Sequence, residues 1–167
     1  MDLDTKKSVL RMIPYGLYVL TSGSHIGNYA AATVTWVSQA SFDPPLVVVA
    51  VRIDSYIHTV ISEEKTFALN ILGKDQGELA FAYFKNPEVS EKTIGGQPYR
   101  AGLTGAPILK NVPAFFECDL VGSLEHGDHS VFLGEVVNVG HKMKPGGRPD
   151  DITLKLKDLG ENIFYGG

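Results

Sequence analysis

Apolar residues along this chain occur in short blocks separated by turn-forming residues, a pattern typical of a protein made mainly of short strands. Residues 46–51 form a continuous and mostly β-branched run, which predicts a buried strand. Pro44 and Pro45 end the segment before it, because proline fixes φ and restricts the preceding residue. Further strands are predicted over residues 17–21, 28–35, 67–71, 114–121 and 131–139, with a last short one over 152–157.

Short helices are predicted between some of these strands, because residues that cap helix N-termini precede short apolar segments. The caps are Asp4 or Thr5 for a helix through Met12, Ser55 for residues 56–62, and the capping-box pair Asp75 and Glu78 for a helix through Phe84. Residues 86–100 are predicted as an ordered surface loop and residues 140–151 as a second loop, since glycines and prolines interrupt both. Six or seven strands with two or three helices indicate a closed antiparallel barrel.

Composition narrows the class of protein. The length of 167 residues, with 44% hydrophobic and 20% charged residues, predicts one globular domain over residues 1–167. A net charge of −4 without a basic run argues against nucleic-acid binding. Cys118 is the single cysteine, and no apolar run approaches the ~20 residues of a membrane span. Because the first residues are also polar, we expect a cytoplasmic protein without disulfide, signal peptide or membrane segment.

The end of the strand over residues 46–51 predicts an anion site. The strand leads to Arg52, and Ser55 then caps a helix whose first-turn N–H groups and dipole favour a phosphate. His58, in the first turn, adds another polar group. Taken by itself, Ser55 is better explained as an ordinary structural cap, and Arg52 and His58 beside it are what favour a phosphate.

Four segments of the chain resemble, in the same order, the flavin-reductase-like FMN-binding split-barrel proteins. They are TVTWVSQASFDPPLVVVAV (residues 33–51) with the serine of DSYIH, FALNIL (67–72), residues 76–84, and GDHSVFLGEV (127–136). The resemblance runs from about Met12 to the C-terminus. It implies a mainly β fold, a Greek-key antiparallel FMN-binding split β-barrel with a few short helices. It also implies bound FMN, with FAD as an alternative, and a homodimer in which the second subunit completes the flavin site.

The resemblance also implies which residues meet the cofactor. Flavin contacts fall on Thr33, Val34, Thr35, Trp36, Ser38, Gln39, Arg52 and Ser55. The position two residues after the serine, which commonly carries a hydroxyl in the family, is Ile57 here, and His58 is the expected substitute for that phosphate contact. His129 of the GDH segment is expected to face the flavin and nicotinamide region and to act in catalysis by hydrogen bonding or positioning.

Several of these residues have simpler explanations. Thr33 and Thr35 are ordinary strand residues by propensity, and Trp36 is large enough to belong to the core. The cluster of Glu125, His126, Asp128 and His129 contains metal-ligand types, but no cysteine joins its two histidines, so we expect a turn and no metal. Neither a G-x-G-x-x-G nor a P-loop pattern occurs.

The predicted function is that of an FMN-binding NAD(P)H:flavin oxidoreductase, which transfers hydride from NADH or NADPH to flavin. The reduced flavin then serves an oxygenase or another electron-acceptor protein. The alternative is a flavoredoxin-like electron-transfer protein that holds FMN tightly and has no productive nicotinamide site. The resemblance covers both classes.

Overall fold

The computed structural model describes residues 1–142 and 144–164, and within them the chain forms ten strands and three short α-helices. The strands are β1 (Tyr18–Ser22), β2 (Ala30–Val34), β3 (Val37–Ser41), β4 (Leu46–Arg52), β5 (Thr66–Ile71), β6 (Thr93–Ile94), β7 (Gln97–Ala101), β8 (Pro107–Leu109), β9 (Ala114–Glu125) and β10 (His129–His141). The helices are α1 (Leu3–Leu10), α2 (Tyr56–Glu64) and α3 (Gly77–Ala82). The mainly β fold with short helices is as predicted.

One antiparallel sheet forms the barrel, in the order β2-β1-β5-β9-β10-β4-β3. Its two edge strands are consecutive in sequence, because only Thr35 and Trp36 separate β2 from β3. The amide of Ala50 on β4 donates a hydrogen bond to the carbonyl of Trp36 at 3.0 Å, just beyond the end of β2. The residues between β2 and β3 therefore join the two edges and close the barrel.

The barrel interior is filled by alternate residues of the strands. On β4, Val47, Val49 and Val51 are buried in a core that also contains Phe67 and Phe132. The residues between them on β4 are only half-buried and lie on the outer face. Both faces of β4 are therefore apolar. One face packs into the core, and the other lies on the outside of the barrel.

Two helix predictions need correction at the N-terminus. Helix α1 is capped by Asp2, not by Asp4 or Thr5, because the Asp2 carboxylate accepts a hydrogen bond from the Thr5 amide at 2.7 Å. At α3 the N-cap residue is Gln76 rather than Asp75, and the Gln76 side chain bonds the Gly73 amide instead of the helix. The capping-box spacing at this point does not form a capping box. The prediction of Ser55 as the cap of α2 is confirmed.

Two predictions between and after the barrel strands are wrong. Residues 86–100 contain β6 and most of β7, which with β8 make a separate three-stranded sheet. Residues 152–157 form no strand, although Thr153 and Lys155 make single bridges to Gly73 and Gly16. Their apolar alternation has another cause, since Leu154 and Leu156 pack into a second core cluster with Leu17 and Leu72.

Within the described part of the chain, no helix is long and apolar enough to cross a membrane.

Candidate functional site

The candidate site lies where the barrel closes. Residues 32–36, the end of β4 and the start of α2 meet there, and the first residue of β10 joins them through the sheet. His129 on β10 is directly opposite Arg52 on β4 in the antiparallel register. Barrel closure therefore brings together residues that are about 100 positions apart in sequence.

A small recess of about 30 Å³ opens between residues 32–36 and the N-terminus of α2. Its lining includes Thr33, Thr35, Arg52 and Ser55. The hydroxyl of Thr35 is buried, and no described residue provides it with a hydrogen-bond partner. A buried polar atom without a partner costs about 1–3 kcal/mol, so this hydroxyl is a candidate contact for a bound ligand.

The two predicted phosphate ligands already have partners within the protein. The Ser55 hydroxyl donates to the Arg52 carbonyl at 2.7 Å and accepts a hydrogen bond from the His58 amide at 3.4 Å. The Arg52 guanidinium donates to both carboxylate oxygens of Asp54, at 2.9 and 2.5 Å. This ion pair is about half exposed, so solvent screens it and a stronger anion can compete for the guanidinium.

A larger cleft of about 640 Å³ shares Trp36 and Arg52 with the recess. The rings of Trp36 and His129 line it, with centroids 4.6 Å apart, and the Tyr15 ring lies 6.5 Å from Trp36. The remaining lining includes Arg11, Arg52, Asp54, Asp128 and Phe164. The cleft is thus walled by flat rings, and charged groups are placed at its rim.

Two carboxylates are held ionised at this rim. The hydrogen bond from Arg52 holds the pKa of Asp54 below its ordinary value. The hydrogen bond between His129 Nδ1 and Asp128, at 2.8 Å, likewise lowers the pKa of Asp128. The contact with Asp128 engages Nδ1 and helps to orient the His129 ring.

Thr33 and Val34 have structural roles beside the site. The Thr33 hydroxyl donates to the Ala80 carbonyl at 2.6 Å, and its amide donates to the Tyr83 carbonyl at 3.0 Å. Val34 packs in the barrel core. The side chains of these two residues therefore have the structural roles expected of strand residues, whereas Thr35 and Trp36 face the recess and the cleft.

Three predicted site residues lie away from the recess and the cleft. Ser38 and Gln39 are exposed on β3 and bond backbone carbonyls within the same strand. His58 turns towards β10, where its Nε2 lies 2.8 Å from the Ser130 hydroxyl and its ring packs on Phe132. Structure therefore separates His58 from the position where a second phosphate contact was expected.

Sequence reasoning missed six residues in or beside the cleft: Arg11, Tyr15, Ile53, Asp54, Asp128 and Phe164. Asp54 and Asp128 are sequence neighbours of predicted residues, and that adjacency was a usable signal. Arg11, Tyr15 and Phe164 come from the two ends of the chain, and no local pattern connects them to the GDH segment.

Among the described residues, no group of three or more His, Cys, Asp or Glu side chains is arranged to hold a metal ion. Residues 126–128 of the cluster at 125–129 form the predicted turn, between the end of β9 at Glu125 and the start of β10 at His129.

Comparison with known proteins identifies the family. The chain is 31% identical over 142 residues to a flavin reductase (NADH) of Kitasatospora aureofaciens, which covers 84% of this chain and 73% of that protein. The structure of this chain resembles that of an NADH:FAD oxidoreductase of Streptomyces globisporus, with a TM-score of 0.71 and 26% sequence identity. The match covers 84% of this chain and 86% of the Streptomyces protein. The split-barrel fold is thereby confirmed.

Some relatives are much longer. Diflavin flavoprotein A 1 of Synechocystis sp. is 33% identical over 141 residues, covering 83% of this chain, but the chain spans only 24% of its length. An Aeropyrum pernix protein is 36% identical over 124 residues, or 70% of this chain, which spans 46% of it. Residues 10–153 match the flavin reductase like domain. The chain therefore belongs to the flavin reductase like domain family.

Proposed function

We propose that this chain is an NAD(P)H:flavin oxidoreductase that binds FMN across the recess and the cleft. The observation that carries the proposal is the buried Thr35 hydroxyl, which lacks a partner among the described residues and lines the recess beside the N-terminus of α2. The relatives named as a flavin reductase (NADH) and an NADH:FAD oxidoreductase support the same activity.

The recess is the proposed site of the FMN phosphate. The helix dipole of α2 and the Arg52 guanidinium supply positive potential, and Thr35 and Ser55 supply hydroxyl groups. In this proposal the phosphate replaces Asp54 as the partner of Arg52, since charge-assisted pairs with phosphate are strong and bidentate.

The cleft fits flat aromatic groups. At about 640 Å³ it is within the ordinary range of ligand sites, and Trp36 and His129 provide ring surfaces on one wall. When bound together, a flavin and a nicotinamide supply the hydride-transfer chemistry themselves. The chain then contributes by holding the two rings in contact, with the His129 ring, oriented by Asp128, in the wall of the cleft.

A homodimer is the proposed assembly. The outer face of the β4–β10 pair is apolar, with Val48 opposite Leu133 and Ala50 opposite Val131. These side chains are half-buried in the single chain, on the face opposite the core. Outer sheet faces that meet water are normally polar, so this face is suited to cover by a second copy beside the flavin site.

The similarity to a diflavin flavoprotein supports a second candidate function, that of an electron carrier that binds FMN and does not react with nicotinamide.

One experiment separates the reductase from the electron carrier. The purified chain is loaded with FMN, freed of oxygen and mixed with NADH or NADPH while its visible spectrum is followed. Loss of the oxidised-flavin band supports the reductase, whereas stable FMN binding without reduction supports the carrier. Failure to bind FMN contradicts both.

A further inference from the structure

His58 and Ser130 form a polar pair that lines neither the recess nor the cleft. The Nε2 atom of His58 lies 2.8 Å from the hydroxyl of Ser130, which is 72 positions away in the chain. His58 belongs to the first turn of α2, and Ser130 is the second residue of β10, opposite Val51 on β4. The pair therefore joins the helix that follows β4 to the strand that lies beside β4.

This pair is held firmly on both sides. Ser130 is buried, with 0% of its surface exposed, and buried hydroxyls are normally hydrogen-bonded. The His58 ring packs on Phe132 of the barrel core, with ring centroids 5.0 Å apart. On the helix side, the Ser62 hydroxyl donates to the His58 carbonyl at 2.8 Å. A buried polar pair with satisfied partners favours one arrangement of the elements that it joins.

On the strand side, the pair adjoins the cleft. Strand β10 begins at His129, directly after the exposed residues 126–128. Strand ends open locally more readily than strand centres, because fewer contacts hold them. Ser130 is the first residue of β10 with a buried side chain. Its bond to His58 therefore holds the strand at the position next to His129.

On the helix side, the pair adjoins the recess. The His58 amide donates to the Ser55 hydroxyl at 3.4 Å, and Ser55 and Ile57 line the recess. Successive side chains of a strand point to opposite faces, so Ser130 bonds α2 while His129 lies in the cleft. The pair thus connects the supports of the two parts of the proposed site.

We propose that His58 is a positioning residue for flavin reduction, which acts through Ser130 to hold His129 in the wall of the cleft. The inference rests on the proposed function, in which flavin and nicotinamide meet beside His129. Asp128 orients the ring of His129, whereas the His58–Ser130 pair fixes the backbone from which that ring extends. Small displacements of a positioning group slow a reaction that depends on the alignment of two rings.

Trp36 reports on the position of His129 without any ligand. It is the single tryptophan of the chain, and its ring centroid lies 4.6 Å from that of His129. His58→Leu keeps an apolar contact with Phe132 but removes the hydrogen bond to Ser130. We expect it to change the Trp36 fluorescence of the ligand-free protein in the same direction as His129→Ala does. In a protein that already carries His129→Ala, His58→Leu should cause no further change.

Anaerobic mixing of the FMN-loaded protein with NADH or NADPH gives the second measurement. His58→Leu should lower the reduction rate at saturating nicotinamide at least about fivefold, with FMN affinity changed less than about twofold. His58→Gln should restore most of the rate, because its amide can bond Ser130 from near the position of Nε2.

Two further variants complete the kinetic series. Ser130→Ala should reproduce the loss of rate, and it carries the same test if His58→Leu does not fold, as judged by thermal unfolding. His141→Leu is the matched control, since His141 is an exposed histidine at the other end of β10.

Three results would overturn the inference. The first is wild-type Trp36 fluorescence in folded His58→Leu and Ser130→Ala. The second is equal slowing of flavin reduction by His58→Leu in proteins with and without His129. The third is an equal effect of His141→Leu. If neither nicotinamide reduces the FMN of the unmodified protein, the proposed function fails, and the Trp36 measurement still decides whether His58 positions His129.

Discussion

At the scale of single residues, Thr33 and Thr35 lie two positions apart but differ in the hydrogen bonding of their hydroxyl groups. The Thr33 hydroxyl has a strong acceptor in the Ala80 carbonyl, whereas the Thr35 hydroxyl is buried without a partner among the described residues. Residue type alone does not distinguish them, because either is a common strand residue. Only the packing of α3 against β2 decides which hydroxyl remains for a ligand.

This contrast predicts opposite effects of the same substitution. Thr35→Val should leave the flavin-free protein as stable as before or more stable, by up to about 1–2 kcal/mol, because an unsatisfied buried hydroxyl is removed. It should also weaken FMN binding. Thr33→Val, the matched control, should destabilise the protein because the Ala80 carbonyl loses its donor. Thermal unfolding and FMN titration of both variants measure this, and destabilisation by Thr35→Val equal to that by Thr33→Val would contradict the account.

Asp54 gives a second residue-level prediction, since its carboxylate competes with a phosphate for Arg52. Asp54→Asn should therefore increase FMN affinity severalfold, with little change in riboflavin affinity, because riboflavin has no phosphate. Fluorescence titration measures the affinities of both variants of the protein, wild type and Asp54→Asn, for FMN and for riboflavin. Weaker FMN binding in the variant would show that Asp54 orients Arg52 for the phosphate instead of competing with it.

At the scale of secondary-structure elements, local patterns predicted six of the seven barrel strands and missed β3, whose residues are mostly exposed. The β-branched run of β4 reflects its buried face. Local patterns failed where long-range packing decides. Leu154 and Leu156 alternate like strand residues, yet they fill a core between the two chain ends. The short strands β6 and β7 lie in a segment rich in glycine and proline, and their pairing depends on β8 further along the chain.

Glu117 on β9 connects the barrel to Thr104, which lies between β7 and β8. Its buried carboxylate accepts hydrogen bonds from the Thr104 amide and hydroxyl, at 2.9 and 2.8 Å, and from the Asn138 side chain at 2.6 Å. Burial tends to raise the pKa of Glu117, but these hydrogen bonds together outweigh burial and lower the pKa below the usual 4.5. The folded state therefore binds this proton less readily than the unfolded state does.

Glu117→Gln should destabilise the protein at pH 7 by about 1.5–3 kcal/mol, because the amide NH₂ faces donors at Thr104 or Asn138. The stabilisation due to Glu117 is complete above pH 4.5 and is lost as the pH falls towards the lowered pKa. The difference between wild type and variant should accordingly shrink at about pH 3.5. Urea unfolding at both pH values tests this, with the exposed Glu91→Gln as control. A difference that is the same at both pH values would refute a role for the ionised carboxylate.

At the scale of the whole molecule, closure of the barrel sets the site. Closure places residues 33–36, Arg52 and His129 together, and the resemblance in sequence was sufficient to anticipate these. It did not anticipate Arg11 and Phe164, because their contact with the cleft depends on how the chain ends pack. The apolar outer face of β4 and β10 is the feature from which assembly is inferred.

Val48→Glu and Leu133→Glu should each convert the proposed dimer into a monomer, because each places a charge at the centre of the apolar outer face. FMN affinity should fall with dissociation if the second subunit completes the site. Lys92→Glu, an exposed change away from this face, is the control. Light scattering with bound-flavin absorbance measures both quantities. A monomeric wild type with full FMN binding would exclude the proposed assembly.

The central claim is that the cleft places a nicotinamide against a bound flavin beside His129. Rapid mixing of the FMN-loaded protein with NADH or NADPH under anaerobic conditions tests this claim most directly. The account predicts rapid loss of the oxidised-flavin absorbance, and a rate at least about tenfold lower in His129→Ala, corresponding to about 1.4 kcal/mol, with FMN affinity unchanged. Flavin that stays bound and oxidised with both nicotinamides would contradict it.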